Sequence, residues 1–169
     1  RLPATILVSG NIEAHQSVLG FKSVQSRIVE LPFDEGKWVK AGTVIARVDD
    51  TDYRQQVAIA KAQLEVQTRQ LAMAEQNWAA AKKLLDSDSA DLELATLEYG
   101  RAEELMKKGA GTIESRDQTR SALKKANAAI ERDQALERSA QRQIDLAKAN
   151  ISNSEENLAL AKIVLDYTT

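Results

Sequence analysis

The chain has 169 residues, a net charge of −2, and charged side chains of both signs at 28% of positions. Interspersed charge with no basic stripe excludes a nucleic-acid-binding surface and reads as the solvated outer faces of helices. Cysteine is absent, which excludes disulfides and thiolate metal sites. No apolar run reaches the roughly 18 residues that a membrane span needs.

Residues 4–48 are strand-like. Thr5-Ile6-Leu7-Val8, Arg27-Ile28-Val29-Glu30-Leu31 and Thr43-Val44-Ile45-Ala46-Arg47-Val48 are short β-branched runs, punctuated by Gly10, Gly20, Pro32, Gly36 and Gly42. Arg1 stands in what reads as the middle of an element, so the chain is expected to be a piece of a longer protein. Asp49-Asp50-Thr51-Asp52 then offers helix caps and first-turn acids, and the switch from strand to helix is placed there.

From Tyr53, alternate steps of four and three land on Val57, Ala60, Leu64, Gln67, Leu71 and Ala74, and run on through Trp78, Leu85, Leu92 and Tyr99 to Met106. A sustained step of this kind marks a coiled-coil seam, because a 3.5-residue period keeps one stripe facing a partner. A second seam runs from Leu123 through Ile130, Ile144, Ile151 and Leu158 to Leu165. Folded back on each other, the seams match: Leu71 meets Ile151, Trp78 meets Ile144, Ala95 meets Ala126, and Asp88 meets Asp133. Leu85 facing Glu137 is the one poor layer. The fold point falls at Gly109-Ala110-Gly111, and a glycine just past a helix takes the left-handed conformation that ends it. Thr112 is the expected N-cap of the second helix. Ser87-Asp88-Ser89-Ala90-Asp91 is the weak point of the first, but the seam keeps its phase through it and predicts one continuous helix.

Glu35-Gly36-x-x-Val39-x-x-Gly42-x-x-Ile45-x-x-Val48-Asp49, followed by a long hairpin, resembles the periplasmic adaptors, or membrane fusion proteins, of the HlyD type. The resemblance implies an α+β fold. A long antiparallel α-helical coiled-coil hairpin would be inserted in a lipoyl-like, barrel-sandwich-hybrid β domain, whose first half is present. The division it implies is residues 1–19 as strands towards an adjacent β-barrel domain and 20–51 as the first lipoyl half. Residues 52–165 would be the hairpin with its turn near 108–112, and 166–169 the start of the second half. Ser26 stands where such adaptors usually have glycine before this strand.

The lipoyl likeness raises a carrier reading, but a carrier needs a lysine at an exposed hairpin tip. Here that place is Asp49-Asp50-Thr51-Asp52-Tyr53, and the nearest downstream lysine is Lys61. His15 is the sole histidine, which removes a catalytic triad and a histidine-rich metal site. Met73 and Met106 are too far apart on one helix for a thioether copper site. No catalytic residue, cofactor or metal site is expected.

At the tip, Arg101, Leu105 and Thr112 resemble the Arg, Leu and Ser with which adaptors of this type dock onto a TolC-like outer-membrane channel, with Thr for Ser. Asp117 falls where the family often has Asp. Arginine supplies rigid donors, leucine an apolar knob, and the hydroxyl a cap. The resemblance implies a non-catalytic periplasmic protein for efflux or secretion, held at the inner membrane by a segment absent from this chain. Its partners would be an inner-membrane transporter of ABC, MFS or RND type, the TolC-like channel and further copies of itself. The alternatives are a structural coiled-coil spacer with another partner and, last, a lipoyl or biotinyl carrier.

Overall fold

A computed structural model describes residues 10–11 and 18–169. The expected strand Thr5–Val8 and His15 lie outside the described residues. Helix α1 spans Thr51–Lys107 and helix α2 Ile113–Asp166, and the two pack along their length as one antiparallel pair. At 57 residues, α1 is about 85 Å long. It passes unbroken through Ser87–Asp91, where Ser89 Oγ turns back to donate to the Leu85 carbonyl at 2.7 Å.

Burial follows the seam phase. On α1, Ala74, Ala95 and Ala102 are buried and the large seam residues Leu64, Leu71, Trp78 and Leu92 are half-buried, while the positions between them are exposed. On α2 the buried residues are Asp133, Ala140, Ile144, Ala147 and Ser154, all on the expected stripe. Two helices alone cannot enclose a large core, so small residues that let the backbones approach carry the tightest packing.

The polar layer at mid-hairpin fixes the register. Asp133 is fully buried and its carboxylate hydrogen-bonds that of Asp88, while Arg132 bridges both, at 2.7 Å to Asp133 and 3.1 Å to Asp88. This is the expected pairing, and it excludes an offset by a heptad. The hydrogen bond to Asp133 and burial push the Asp88 carboxyl above its usual range. The Arg132 guanidinium holds Asp133 below it. Asp88 is therefore the member of the pair that takes up a proton first as pH falls, and Asp133 Oδ2 is buried without a protein hydrogen-bond donor.

At the poor layer of Leu85 with Glu137 the carboxylate leaves its own level. Glu137 reaches along the axis and accepts the indole N–H of Trp78, whose ring also carries Lys82 Nζ 5.6 Å from its centroid. Both side chains are long enough to leave their own level, and a half-buried carboxylate takes a donor in preference to leucine.

The β segment is smaller than the sequence runs suggested. β1 (Ile28–Glu30) and β2 (Arg47–Val48) form a two-stranded antiparallel sheet with a bulge, and Thr43–Ala46 is not strand. Gly36 and Gly42 each stand third in a four-residue turn with φ of 79° and 86°, closed by Lys37 N–H to Asp34 and Thr43 N–H to Lys40. Both glycines of the motif are thus required by backbone conformation. Ser26 has no left-handed backbone; its hydroxyl donates to the Asp49 carbonyl at 2.8 Å. The cap of α1 also differs in detail. Asp50 occupies the N-cap position without a capping bond and pairs with Arg54, while Asp49 Oδ1 takes the N–H and hydroxyl of Thr51.

The chain returns to this segment at its far end. Thr168 is buried, and its carbonyl accepts from Val48 N–H at 3.0 Å. The Tyr53 hydroxyl bonds the backbone of Gln25, and Lys22 stacks over the Tyr167 ring. Ile28, Val29, Leu31 and Trp38 remain exposed, Trp38 at 87%. Among the described residues, no helix is long and apolar enough to cross a membrane.

Candidate functional site

The hairpin tip is built by two glycines with different tasks. Gly109 has φ of 73°, donates to the Met106 carbonyl and sets Ala110 to donate to the Leu105 carbonyl, the paired bonds of a Schellman ending. Gly111 also donates to Leu105 O, at 3.1 Å, and runs so close to the helix end that a Cβ there would stand 2.8 Å from Met106 N. Thr112 follows in extended conformation, and its hydroxyl oxygen accepts from Ser115 N–H at 3.1 Å, capping α2. The turn thus spans Lys108–Thr112, where the glycines placed it.

This geometry locates the three residues singled out from sequence. Arg101 and Leu105 lie one helical turn apart on α1 and are both exposed, Leu105 at 49% although it adjoins the half-buried seam residue Met106. Thr112 is exposed across the turn, and its hydroxyl hydrogen remains free for a partner. Among the described residues Arg101 takes part in no ion pair, whereas Arg116 is bound to Asp117 at 2.8 Å. Ile113, exposed at 64%, was not singled out from sequence. Its place directly after the cap and off the seam phase was the available signal. The Asp88–Asp133–Arg132 layer lines neither of the two cavities at the β end, and among the described residues no group of acids or histidines could hold a metal ion.

A second concave feature lies at the opposite end. A mainly apolar cavity of about 510 Å³ is lined by Leu19–Lys22, Gly42–Ala46, Tyr167 and Thr169. It lies between the β segment and the returning chain.

Comparison with known proteins gives the long hairpin its context. No protein-family model matches the chain. It is 31% identical over 157 residues to the multidrug resistance protein MdtN of Shigella flexneri and 30% identical to that of Escherichia coli strain K12. In each case 86% of this chain and 46% of the relative are aligned, so the chain spans about half the length of these curated relatives. Among solved structures, the periplasmic adaptor protein EmrA superposes with a TM-score of 0.50 over 85% of this chain and 59% of that one, at 15% identity. The chain belongs with the HlyD-like periplasmic adaptors. In adaptor terms the two helices are the α-hairpin, and the likeness to EmrA is one of fold. Arg101, Leu105 and Thr112 cluster at the closed end of that hairpin, farthest from the β segment.

Proposed function

We propose that the chain is the hairpin-bearing part of a non-catalytic adaptor that couples an inner-membrane exporter of ABC, MFS or RND type to a TolC-like outer-membrane channel for efflux. The exporter supplies the energy, the adaptor works in the periplasm as several copies, and Arg101, Leu105 and Thr112 meet the channel. The observation that carries this reading is an apolar side chain held half out of water at the tip beside an unpaired arginine. A seam would have buried the leucine and a surface network would have paired the arginine. The multidrug-resistance names of the relatives support efflux. In the same reading, residues 20–51 form the first half of a lipoyl-like domain and 166–169 lead into the second. The Val48–Thr168 bond and the exposed Ile28, Val29 and Leu31 support that division.

Arg101→Asp tests it. An exposed substitution shifts stability by under about 0.5 kcal/mol, whereas loss of an interface anchor costs about 2 kcal/mol or more. Unchanged thermal unfolding with loss of export and of cross-linking to the channel is expected. Full export by a stably expressed Arg101→Asp protein would leave the hairpin as a spacer with another partner.

A further inference from the structure

One flank of the hairpin carries no charge over most of its length. Burial along the seam fixes the rotation of each helix, so the flanking positions can be read in order. On α1 one flank runs from Gln56 through Ile59, Val66, Met73 and Leu84 to Ser87, with only glutamine, asparagine and alanine between. The equivalent flank of α2 runs from Leu136 through Leu146 and Leu160 to Val164, with only serine, asparagine and glutamine between. In an antiparallel pair equivalent flanks lie on the same side of the seam, so the two stretches form one face. The opposite flank is charged on both helices, from Lys61 and Glu65 to Lys82 on α1 and from Arg138 to Lys162 on α2.

The exposed apolar side chains on this face fall in bands. Measured from the Asp88–Asp133 pair, Ile59 shares its height with Leu160, Met73 with Leu146 and Leu84 with Leu136, each within about 3 Å at 1.5 Å per residue. All six are exposed, Met73 at 65% and Leu146 at 63%. The stretch is roughly 45 Å long and two helices wide, which offers on the order of 800 Å² per copy, the size of a standard protein interface.

We infer that this face pairs with the same face of a second copy of the chain, the two hairpins pointing the same way about a two-fold axis parallel to their length. Under that symmetry α1 of one copy lies over α2 of the other, so each band meets itself: Met73 over Leu146, Ile59 over Leu160, Leu84 over Leu136. No charge is desolvated in the uncharged stretch. Nearer the tip the same flank presents Asp91 and Glu98 on α1, and Arg132 and Lys125 on α2, at matching heights. The two-fold therefore sets acid over base there as well. Opposed hairpins centred on the Met73 band would also lay apolar over apolar, but Asp91 and Glu98 would then fall opposite the β end and lose Arg132 and Lys125 as partners, so the charges select the same-way pairing. This pairing names a surface that the efflux reading leaves open, and it does not depend on the tip.

The absence of cysteine makes the test direct. In the full chain, the double variant Met73→Cys/Leu146→Cys should form a covalent dimer as its main product on mild oxidation. The two sites lie at the outer edges of one face, too far apart to close within a hairpin. Met73→Cys alone should cross-link several-fold less, because Met73 does not meet its own copy. Ala72→Cys/Asp145→Cys, on the charged flank, should yield about tenfold less. Met73→Glu/Leu146→Glu should sediment as a monomer with the helix content and unfolding midpoint of the parent. A wild-type chain that sediments as a monomer at about 100 μM would overturn the inference and leave the face to a different protein or a lipid. Equal cross-linking through the charged flank, or by the single variant, would overturn it too.

Discussion

Gly111→Ala should destabilise the hairpin more than Gly109→Ala, although only Gly109 holds a left-handed conformation. At Gly109 a Cβ would meet nothing within 4 Å, so the cost is conformational alone. Forcing an L-residue to a φ near 73° costs about 1–2 kcal/mol. At Gly111 the backbone is unremarkable, but a Cβ would sit 2.8 Å from Met106 N and 3.0 Å from the Leu105 carbonyl carbon. Those neighbours are helix backbone and cannot rotate away. Relief requires lifting the turn off Leu105, which breaks the Gly111 and Ala110 hydrogen bonds to its carbonyl. At about 1 kcal/mol each plus residual strain, the total is about 2–3 kcal/mol. Gly100→Ala supplies the internal control. It lies within α1 with open space around it, so it should stabilise by about 1 kcal/mol. Urea titrations of the three variants followed by circular dichroism measure the order. A Gly111→Ala protein as stable as the parent would mean that the chain does not turn against Leu105, and the placement of the tip residues would fall with it.

Asp88→Asn should raise the unfolding midpoint at pH 7, with the advantage fading towards pH 4, as read from thermal melts across that range. The folded pKa of Asp88 is raised, so its stabilising contribution is full below the unfolded value of 3.8 and is lost as pH rises through the folded value, whereas asparagine remains a neutral donor. The depressed Asp133 behaves oppositely, losing its contribution as pH falls through its folded value below 3.8, so Asp133→Asn should destabilise at neutral pH. Thr112→Ala should cost about 1 kcal/mol by removing the cap on Ser115 N–H, while Thr112→Ser should be nearly silent in both unfolding and export assays. Amide protons of Ile28–Glu30 should exchange quickly in the 169-residue chain and slow strongly when further β structure covers them. Equal protection in both would argue against a half-built β domain.

The hairpin was legible because one physical requirement is repeated at every turn: a 3.5-residue stripe must face its partner. Each seam position from Tyr53 to Met106 is withdrawn from solvent. The two tip glycines and the Thr112 cap were equally readable, since a chain reversal between helices has few chemical solutions. What failed to show was decided by side-chain reach. Whether Glu137 faces Leu85 or stretches to Trp78 depends on two long side chains competing for satisfaction, and periodicity does not encode that. The same holds for Asp49 capping Thr51 in place of Asp50. The β runs overstated the sheet because a strand needs a neighbour to pair with, and Thr43–Ala46 has none among the described residues. At the tip, periodicity placed Arg101, Leu105 and Thr112 but left the exposure of Leu105 open beside Met106, and recognition belongs to a surface and its partner together.

The buried acid pair makes sense as a ruler for that tip. A seam of alternating alanine and large aliphatics is nearly self-similar, so sliding one helix by a heptad would cost little in apolar burial while moving the tip by about 10 Å. The slip would set Asp88 against Ala126 or Ala140, where its carboxylate would be buried without the Arg132 bridge and the Asp133 partner. Burying a lone charge is costly, whereas the matched layer sets Arg132 against both carboxylates, so the layer penalises the slipped registers more than it stabilises the correct one. Gly109 and Gly111 close the turn on Leu105 in one geometry and enforce the same register from the other end. Two independent devices thus fix the reach from the β segment to Arg101 and Leu105, the quantity that the proposed docking of the tip requires to be constant.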